Sequence, residues 1–355
     1  MINISNKQFL KRIIDNANEN AIPVFGAFEL TPYCNLDCKM CYVHLYDPQY
    51  SERMLDGNQW IELMDAAIEK GMISALLTGG EAMTHPDFWD IYMHLIEKGI
   101  QVRVKTNGLL LTKNVIEKLN QYQPFMIDVS LYGCNDDSYE AVTGKRAFQK
   151  VKSNIENLIA NQLPLTLEIV PSKYMMPYIK DIMSLAKSFD VRTNVNKMLI
   201  EPNDNTDRTK EEFDLTRENH REIIKLTKEF FEQKQAENED EFVYETGFTK
   251  ELKCNAGTCT FAVSWEGIMK PCLNFPEDLI SVKLEDMGFE RAWKHINDKM
   301  AHYSIPEKCH TCEYHDECRY CPREHGQYAK RNQCDASVCE AWKYYFDIER
   351  EFGQV

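Results

Sequence analysis

The chain has 355 residues, 43% hydrophobic and 27% charged, enough to bury one large core or two. A formal charge of −15 argues against nucleic acid as the main partner, because duplex binding rests on Lys and Arg neutralising phosphates. The opening stretch MINISNKQFLKRIIDNANEN has no signal-peptide core and no segment has the length of an apolar membrane span, so the expected compartment is the cytoplasm, with no membrane partner and with thiols kept reduced.

From residue 24 to about 200, short apolar runs alternate with helical stretches. VFGAFEL (24–30), SALLTGG (74–80), VRVKTNG (102–108), MIDVSLYG (126–133), LTLEIV (165–170) and VRTNVNKML (191–199) have the character of buried strands. Between the first four lie NQWIELMDAAIEKG, PDFWDIYMHLIEKG and NVIEKLNQY, with apolar residues at helical spacing and Gly at two expected C-caps. Alternation of this kind predicts parallel βαβ units with right-handed crossovers. Six units fall short of a closed eight-fold barrel, so the expected fold is α/β, a partial (βα)6 barrel with its chemistry on the loops after the strands. Residues 201–216 are polar and turn-rich, a charged helix is expected to about 238, and the acidic run ENEDE (237–241) reads as a solvated boundary. After 250 strong periodicity disappears and cysteines crowd in. The expected domains are therefore 1–240 and a metal-organised 241–355.

Thirteen cysteines in a reduced compartment read as metal ligands rather than disulfides. Cys34, Cys38 and Cys41 follow the first strand at its carboxyl end. Three thiolates hold three irons of a four-iron cluster and leave the fourth iron open, as a catalytic centre requires; a structural zinc site wants four ligands. CNLDCKMC matches the CxxxCxxC motif and resembles the radical SAM enzymes. LLTGGE (76–81) is similar to the family's GGE motif, and KTNG (105–108) and DVSLYG (128–133) to its third and fourth strand ends. The resemblance covers residues 24 to about 200. It implies S-adenosylmethionine contacts at Gly79, Gly80, Glu81, Asn107 and Ser130, with Met40 and Tyr42 beside the third cysteine toward adenine. Met40 departs from the family's frequent aromatic residue at that place.

The remaining cysteines read CNAGTC (254–259), GIMKPC (267–272), CHTCEYHDECRYC (309–321) and CDASVC (334–339). One zinc site from Cys309, Cys312, Cys318 and Cys321 is a competing reading, but it leaves Cys254, Cys259 and Cys272 without partners. The layout resembles the SPASM domain, which implies two auxiliary clusters and three [4Fe–4S] clusters in all. The first would take Cys254, Cys259, Cys272 and Cys321. The second would take Cys309, Cys312, Cys318 and a late cysteine, Cys339 ahead of Cys334. The last gap of CHTCEYHDECRYC is two residues where the family has three.

The resemblance further implies a ribosomally made precursor peptide as substrate, a flavodoxin or ferredoxin as reductant, and a thioether or carbon–carbon crosslink as product. Only about 23 residues precede the first strand, too few for a winged-helix leader-binding domain, so leader recognition is expected from a separate leader-binding protein, from the SPASM region, or not at all. Peptide epimerisation is the alternative, with Cys134 as hydrogen donor four residues past Ser130. Sulfatase-type oxidation is disfavoured by Leu273, where those enzymes commonly carry an Asp. A nucleotide-acting relative with one auxiliary cluster and a non-catalytic electron carrier are the readings from other classes. His85 is read chiefly as an exposed turn residue.

Overall fold

The computed structural model describes residues 6–41, 43, 53–196, 215–235, 252, 254–318, 320–322, 324, 325, 329 and 332–352. They fall into two compact units. One comprises Phe28–Ile61 and Ser74–Glu232; the other comprises Met1–Ala27, Glu62–Ile73 and Gln233–Val355.

The unit containing Ser74–Glu232 is a parallel sheet wrapped by helices. Its strands are β1 (Phe25–Thr31, which starts in the other unit), β2 (Ser74–Gly79), β3 (Gln101–Thr106), β4 (Met126–Ser130), β5 (Leu165–Ile169) and β6 (Arg192–Val195). They lie in the order β6-β5-β4-β3-β2-β1, so each βα unit lands beside the last. Register runs Ser74↔Gln101, Arg103↔Met126, Ile127↔Leu165 and Thr166↔Arg192, all parallel. The helices form for local reasons. α2 (Gly57–Glu69) opens on a reciprocal cap, Asp56 Oδ1 accepting from Gln59 N–H while Gln59 Oε1 accepts from Asp56 N–H, both at 2.9 Å. α3 (Phe88–Glu97) buries Phe88, Ile91, Tyr92 and Leu95, one stripe at helical spacing. Thr112 caps α4 (Lys113–Gln121), and Asn135 with Ser138 makes the capping box of α5 (Asp136–Thr143). α6 (Phe148–Ala160) and α7 (Ile179–Ser188) complete the unit's alternation, with α8 (Arg217–Gln235) after β6. The open six-strand arrangement is the partial barrel expected. The strand forecast at 191–199 is seen over Arg192–Val195, and its remainder from 197 lies outside the described residues.

Strand alternation puts Arg103, Asp128 and Glu168 on one face and apolar residues such as Val102, Val104 and Ile127 on the other, against the helices. Arg103 forks onto Asp128, with Nη2 2.9 Å from both carboxylate oxygens. Glu168 accepts from the side-chain amides of Asn194 (2.8 Å) and Asn196 (3.2 Å). The polar face is thus cross-linked strand to strand.

In the other unit, α1 (Asn6–Asn20) packs Ile14 and Ala17 against Val24, Phe25 and Cys259. β7 (Thr260–Val263), β8 (Ile268–Lys270) and β9 (Val282–Lys283) are antiparallel, the first turn closed by Gly267 at φ 76°. Phe261 meets Phe289 and Trp293 edge-on from α9 (Leu284–Ala301), and Trp293 Nε1–H donates to the Ala21 carbonyl at 2.6 Å. The sequence reading of lost periodicity after 250 is corrected here: α9 and α10 (Ala336–Glu351) are full helices. A kink at Gly288 masks the first, and its stripe Phe289, Ala292, Trp293, Ile296 and Met300 begins only beyond it.

Candidate active site

The loop after β1 carries Cys34, Cys38 and Cys41 and is tied down along its length. Gly80 N–H donates to Thr31 O (2.8 Å) and Glu81 N–H to Tyr33 O (2.7 Å), joining it to the turn after β2. Asp37 and Lys39 N–H groups donate to Thr143 and Val142 carbonyls at the end of α5, and Lys145 Nζ donates to Asn35 O at 2.7 Å. Glycine is required at 79 and 80 by this contact. A Cβ on Gly80 would lie 2.3 Å from Tyr33 O, and one on Gly79, at φ 128°, would lie 2.4 Å from Thr31 O.

Glu81 is the hub. It is 1% exposed; its carboxylate accepts from Thr106 Oγ1 (2.9 and 3.0 Å), Asn107 N–H (2.8 Å) and Met83 N–H (3.4 Å). Burial pushes its pKa up to about 7 against those three hydrogen bonds. Glu81, for which the resemblance implies an S-adenosylmethionine contact, also sews the ends of β2 and β3 together. Asn107 continues the seam: its Nδ2 donates to Asn35 Oδ1 at 2.6 Å and to Cys34 Sγ at 3.7 Å. Ser130 is buried at the end of β4, and the pKa of the Tyr132 hydroxyl is raised by burial first and then by Cys38. Met40 is buried, and Tyr42 lies outside the described residues.

Thr106, Asn35, Tyr132 and Lys145 were not singled out in the sequence. Thr106 and Tyr132 sit inside the KTNG and SLYG segments, so position within a strand-end motif was the available signal.

Burial raises Cys38 well above the usual thiol range, with the neighbouring Cys41 and Cys34 adding to it. Cys34 is raised by burial, with Glu81 adding to it. No three His, Cys, Asp or Glu side chains among the described residues converge as a single metal ion needs. A cubane wants its thiolates spread over separate corners, so three clustered soft donors on one loop fit a four-iron cluster better than one ion.

Cys134 lies at the start of α5, its sulfur 3.7 Å from Ser138 Oγ and 3.8 Å from Asn135 Nδ2. His85 is corrected from an exposed turn residue to a buried staple. Its Nδ1 accepts from Asp87 N–H (3.1 Å), so the proton sits on Nε2 and is donated to Leu55 O at 3.0 Å.

The other unit holds two more sets of thiols. Cys254 acts on both Cys259 and Cys272, which burial raises to about 12 and about 11. Lys270, 1% exposed, precedes Cys272 by two residues and pairs with Glu277 at 3.6 Å, putting a buried cation beside these sulfurs. Cys321 is felt at Tyr303. Cys309, Cys312, Cys318, Cys334 and Cys339 line a single cavity together with His315, His325 and Trp342.

Residues 28–186 match the family model of the Radical SAM superfamily, and the chain carries a radical SAM domain over that span. It is 21% identical over 333 residues to the "Antilisterial bacteriocin subtilosin biosynthesis protein AlbA" of Bacillus subtilis (strain 168), covering 90% of this chain and 72% of that one. Several other curated relatives are matched over about half their length. Among solved structures, Streptococcus suis SuiB bound to S-adenosylmethionine shares 16% identity at a TM-score of 0.69, over 94% of this chain and 81% of that one. Native anSMEcpe with bound AdoMet shares 16% identity at 0.71, over 93% and 98%. At such identities the two structures establish a common fold. Among the described residues no helix is long and apolar enough to cross a membrane.

Proposed function

We propose that this chain is a radical SAM maturase that takes hydrogen from a ribosomally made peptide and installs a crosslink, a thioether or a carbon–carbon bond. One observation carries the reading. Three thiols stand on one loop at the strands' carboxyl ends, and Glu81 and Asn107 lock that loop to the GGE and TNG segments. The names of the relatives support a peptide substrate: AlbA is a bacteriocin biosynthesis protein, and SuiB has also been solved bound to precursor peptide SuiA.

In this reading Cys34, Cys38 and Cys41 would hold a [4Fe–4S] cluster, with S-adenosylmethionine beside it. When bound, the pair supplies one-electron chemistry able to take a hydrogen atom from an unactivated carbon. The protein's share is geometry and electrostatics. Asn107 Nδ2–H donates to the Cys34 sulfur and draws charge off it. Gly79 and Gly80 let backbone approach closely, and Ser130 and Met40 would be further contacts of the cofactor. The cross-linked polar face bearing Arg103, Asp128 and Glu168 gives the substrate a rigid wall, and burial keeps water from competing.

A crosslink removes two electrons and two protons from the peptide. One electron and one proton would leave as the abstracted hydrogen atom, and auxiliary clusters on Cys254, Cys259, Cys272 and Cys321, and on Cys309, Cys312, Cys318 and Cys339, would take the second electron toward a flavodoxin or ferredoxin. A separate leader-binding protein would present the precursor, in the cytoplasm. The test is anaerobic reconstitution followed by iron and sulfide analysis: about twelve irons per chain supports three clusters, about eight the nucleotide-acting type. Co-expression with a cysteine-rich peptide encoded beside the gene should then yield a product about 2 Da lighter per crosslink. No consumption of S-adenosylmethionine by reduced protein would end the proposal.

A further inference from the structure

Cys334 is the spare thiol of the ligand sets that the resemblance implies, yet the fold holds it tightly. Tyr320 and His325 stack at 4.4 Å between ring centroids, 11° from parallel. This pair grips the chain on both sides of the cysteine. The Tyr320 hydroxyl donates to the Gln333 carbonyl at 3.1 Å, and His325 Nδ1 accepts from Asp335 N–H at 3.0 Å. Asp335 in turn caps α10, its carboxylate accepting from Ser337 N–H at 2.8 Å. So fixed, Cys334 is 7% exposed and its sulfur lies 3.1 Å from Cys309 Sγ.

That separation decides two things. Thiolates on different corners of a cubane radiate away from each other, so Cys309 and Cys334 do not serve two corners at once. With the ligand set that the resemblance implies, Cys309, Cys312, Cys318 and Cys339, Cys334 is a fifth thiol in contact with the first of them. Two reduced sulfurs held at this distance inside one cavity need little motion to bond.

We propose that Cys309 and Cys334 form a reversible disulfide that closes this pocket while no cluster is bound, and that its reduction frees Cys309 to become a ligand. The oxidant is a small-molecule disulfide of the glutathione class. Cys309, the more exposed of the two, attacks one sulfur and expels one glutathione thiol. Cys334 then attacks the mixed disulfide at the Cys309 sulfur and expels the second. Two protein thiols become one disulfide, one glutathione disulfide becomes two thiols, and no further electron acceptor is needed. Excess dithiol reverses both steps. Cytosolic disulfides are typically of this transient, redox-sensing kind. The bond itself stands independently of the chain's proposed function; its effect on cluster assembly rests on this pocket being a cluster site.

The test uses the full chain, prepared anaerobically and stripped of iron with a chelator. It is treated with glutathione disulfide, alkylated, digested without reductant and analysed by mass spectrometry. The expected result is a linked pair of peptides bearing Cys309 and Cys334, lost on dithiothreitol treatment and absent from Cys334→Ser. Oxidation before reconstitution should also lower iron uptake by about four per chain in the wild type, and dithiothreitol added after oxidation should restore it. Alkylated Cys309 after oxidation, or its linkage to Cys312 or Cys339, overturns the proposal. So does a loss of about four irons in Cys334→Ser that was never oxidised, which would make Cys334 a ligand. A Cys309–Cys334 link that leaves iron uptake unchanged supports the bond and overturns the assignment of this pocket to a cluster.

Discussion

Replacing Gly80 by Ala tests whether the turn after β2 positions the cysteine loop. The new Cβ would stand 2.3 Å from Tyr33 O, 2.6 Å from Tyr33 C and 2.7 Å from Pro32 O, all of them backbone atoms. Backbone cannot swing aside as a side-chain tip can, so Pro32–Tyr33 must retreat by about 1 Å to reach ordinary contact. Retreat strains the bonds from Gly80 N–H to Thr31 O and from Glu81 N–H to Tyr33 O. Overpacking costs about 1–3 kcal/mol and each bond about 1 kcal/mol, so the variant should lose about 3–5 kcal/mol. That is a large part of a typical total of about 5–15 kcal/mol. Gly99→Ala is the control: its φ is 74°, but nothing lies within 4 Å of the added carbon, so it suffers only left-handed backbone strain of about 1 kcal/mol. Urea unfolding followed by circular dichroism, with iron content measured alongside, compares them. Cys34 directly follows Tyr33, so iron retention should fall in Gly80→Ala and hold in Gly99→Ala. Equal unfolding midpoints for the two variants would refute the reasoning.

Three other outcomes are expected. Glu81 holds its proton to about pH 7 when folded and to about 4.5 when unfolded, so its contribution is most favourable below 4.5 and is lost as pH rises to 7. This decline amounts to about 3 kcal/mol in iron-free protein, and Glu81→Gln should flatten it; parallel pH–stability curves would count against the burial argument. Arg103→Met strands the Asp128 carboxylate, whose side chain is 5% exposed, and should cost about 3–5 kcal/mol, most of it recovered when Asp128→Leu is added. A double variant no more stable than the single one would show that Asp128 has another counter-charge. Asp56→Ala removes half of the reciprocal cap of α2 and should lower the urea-derived stability by about 1 kcal/mol, whereas Asp56→Asn should retain most of it.

Much of this protein was legible as spacing. Apolar runs alternating with helical stripes announced six βα units, and the rule that chemistry sits after parallel strands put Cys34, Cys38 and Cys41 at the site before any coordinates. Those signals are local: period two, period 3.6 and short motif gaps are written into neighbouring residues. The partners were not legible. Spacing did not reveal that Glu81 bonds Thr106 and Asn107, 25 and 26 residues on, or that Asn107 reaches Cys34 across 73. His85 looked like an exposed turn and is a buried staple. Cys334 looked surplus until the Tyr320–His325 pair was seen to hold it against Cys309. Gap lengths say which residues share an element; which side chains meet across elements depends on register, rotamer and burial, and those exist only once the chain has folded.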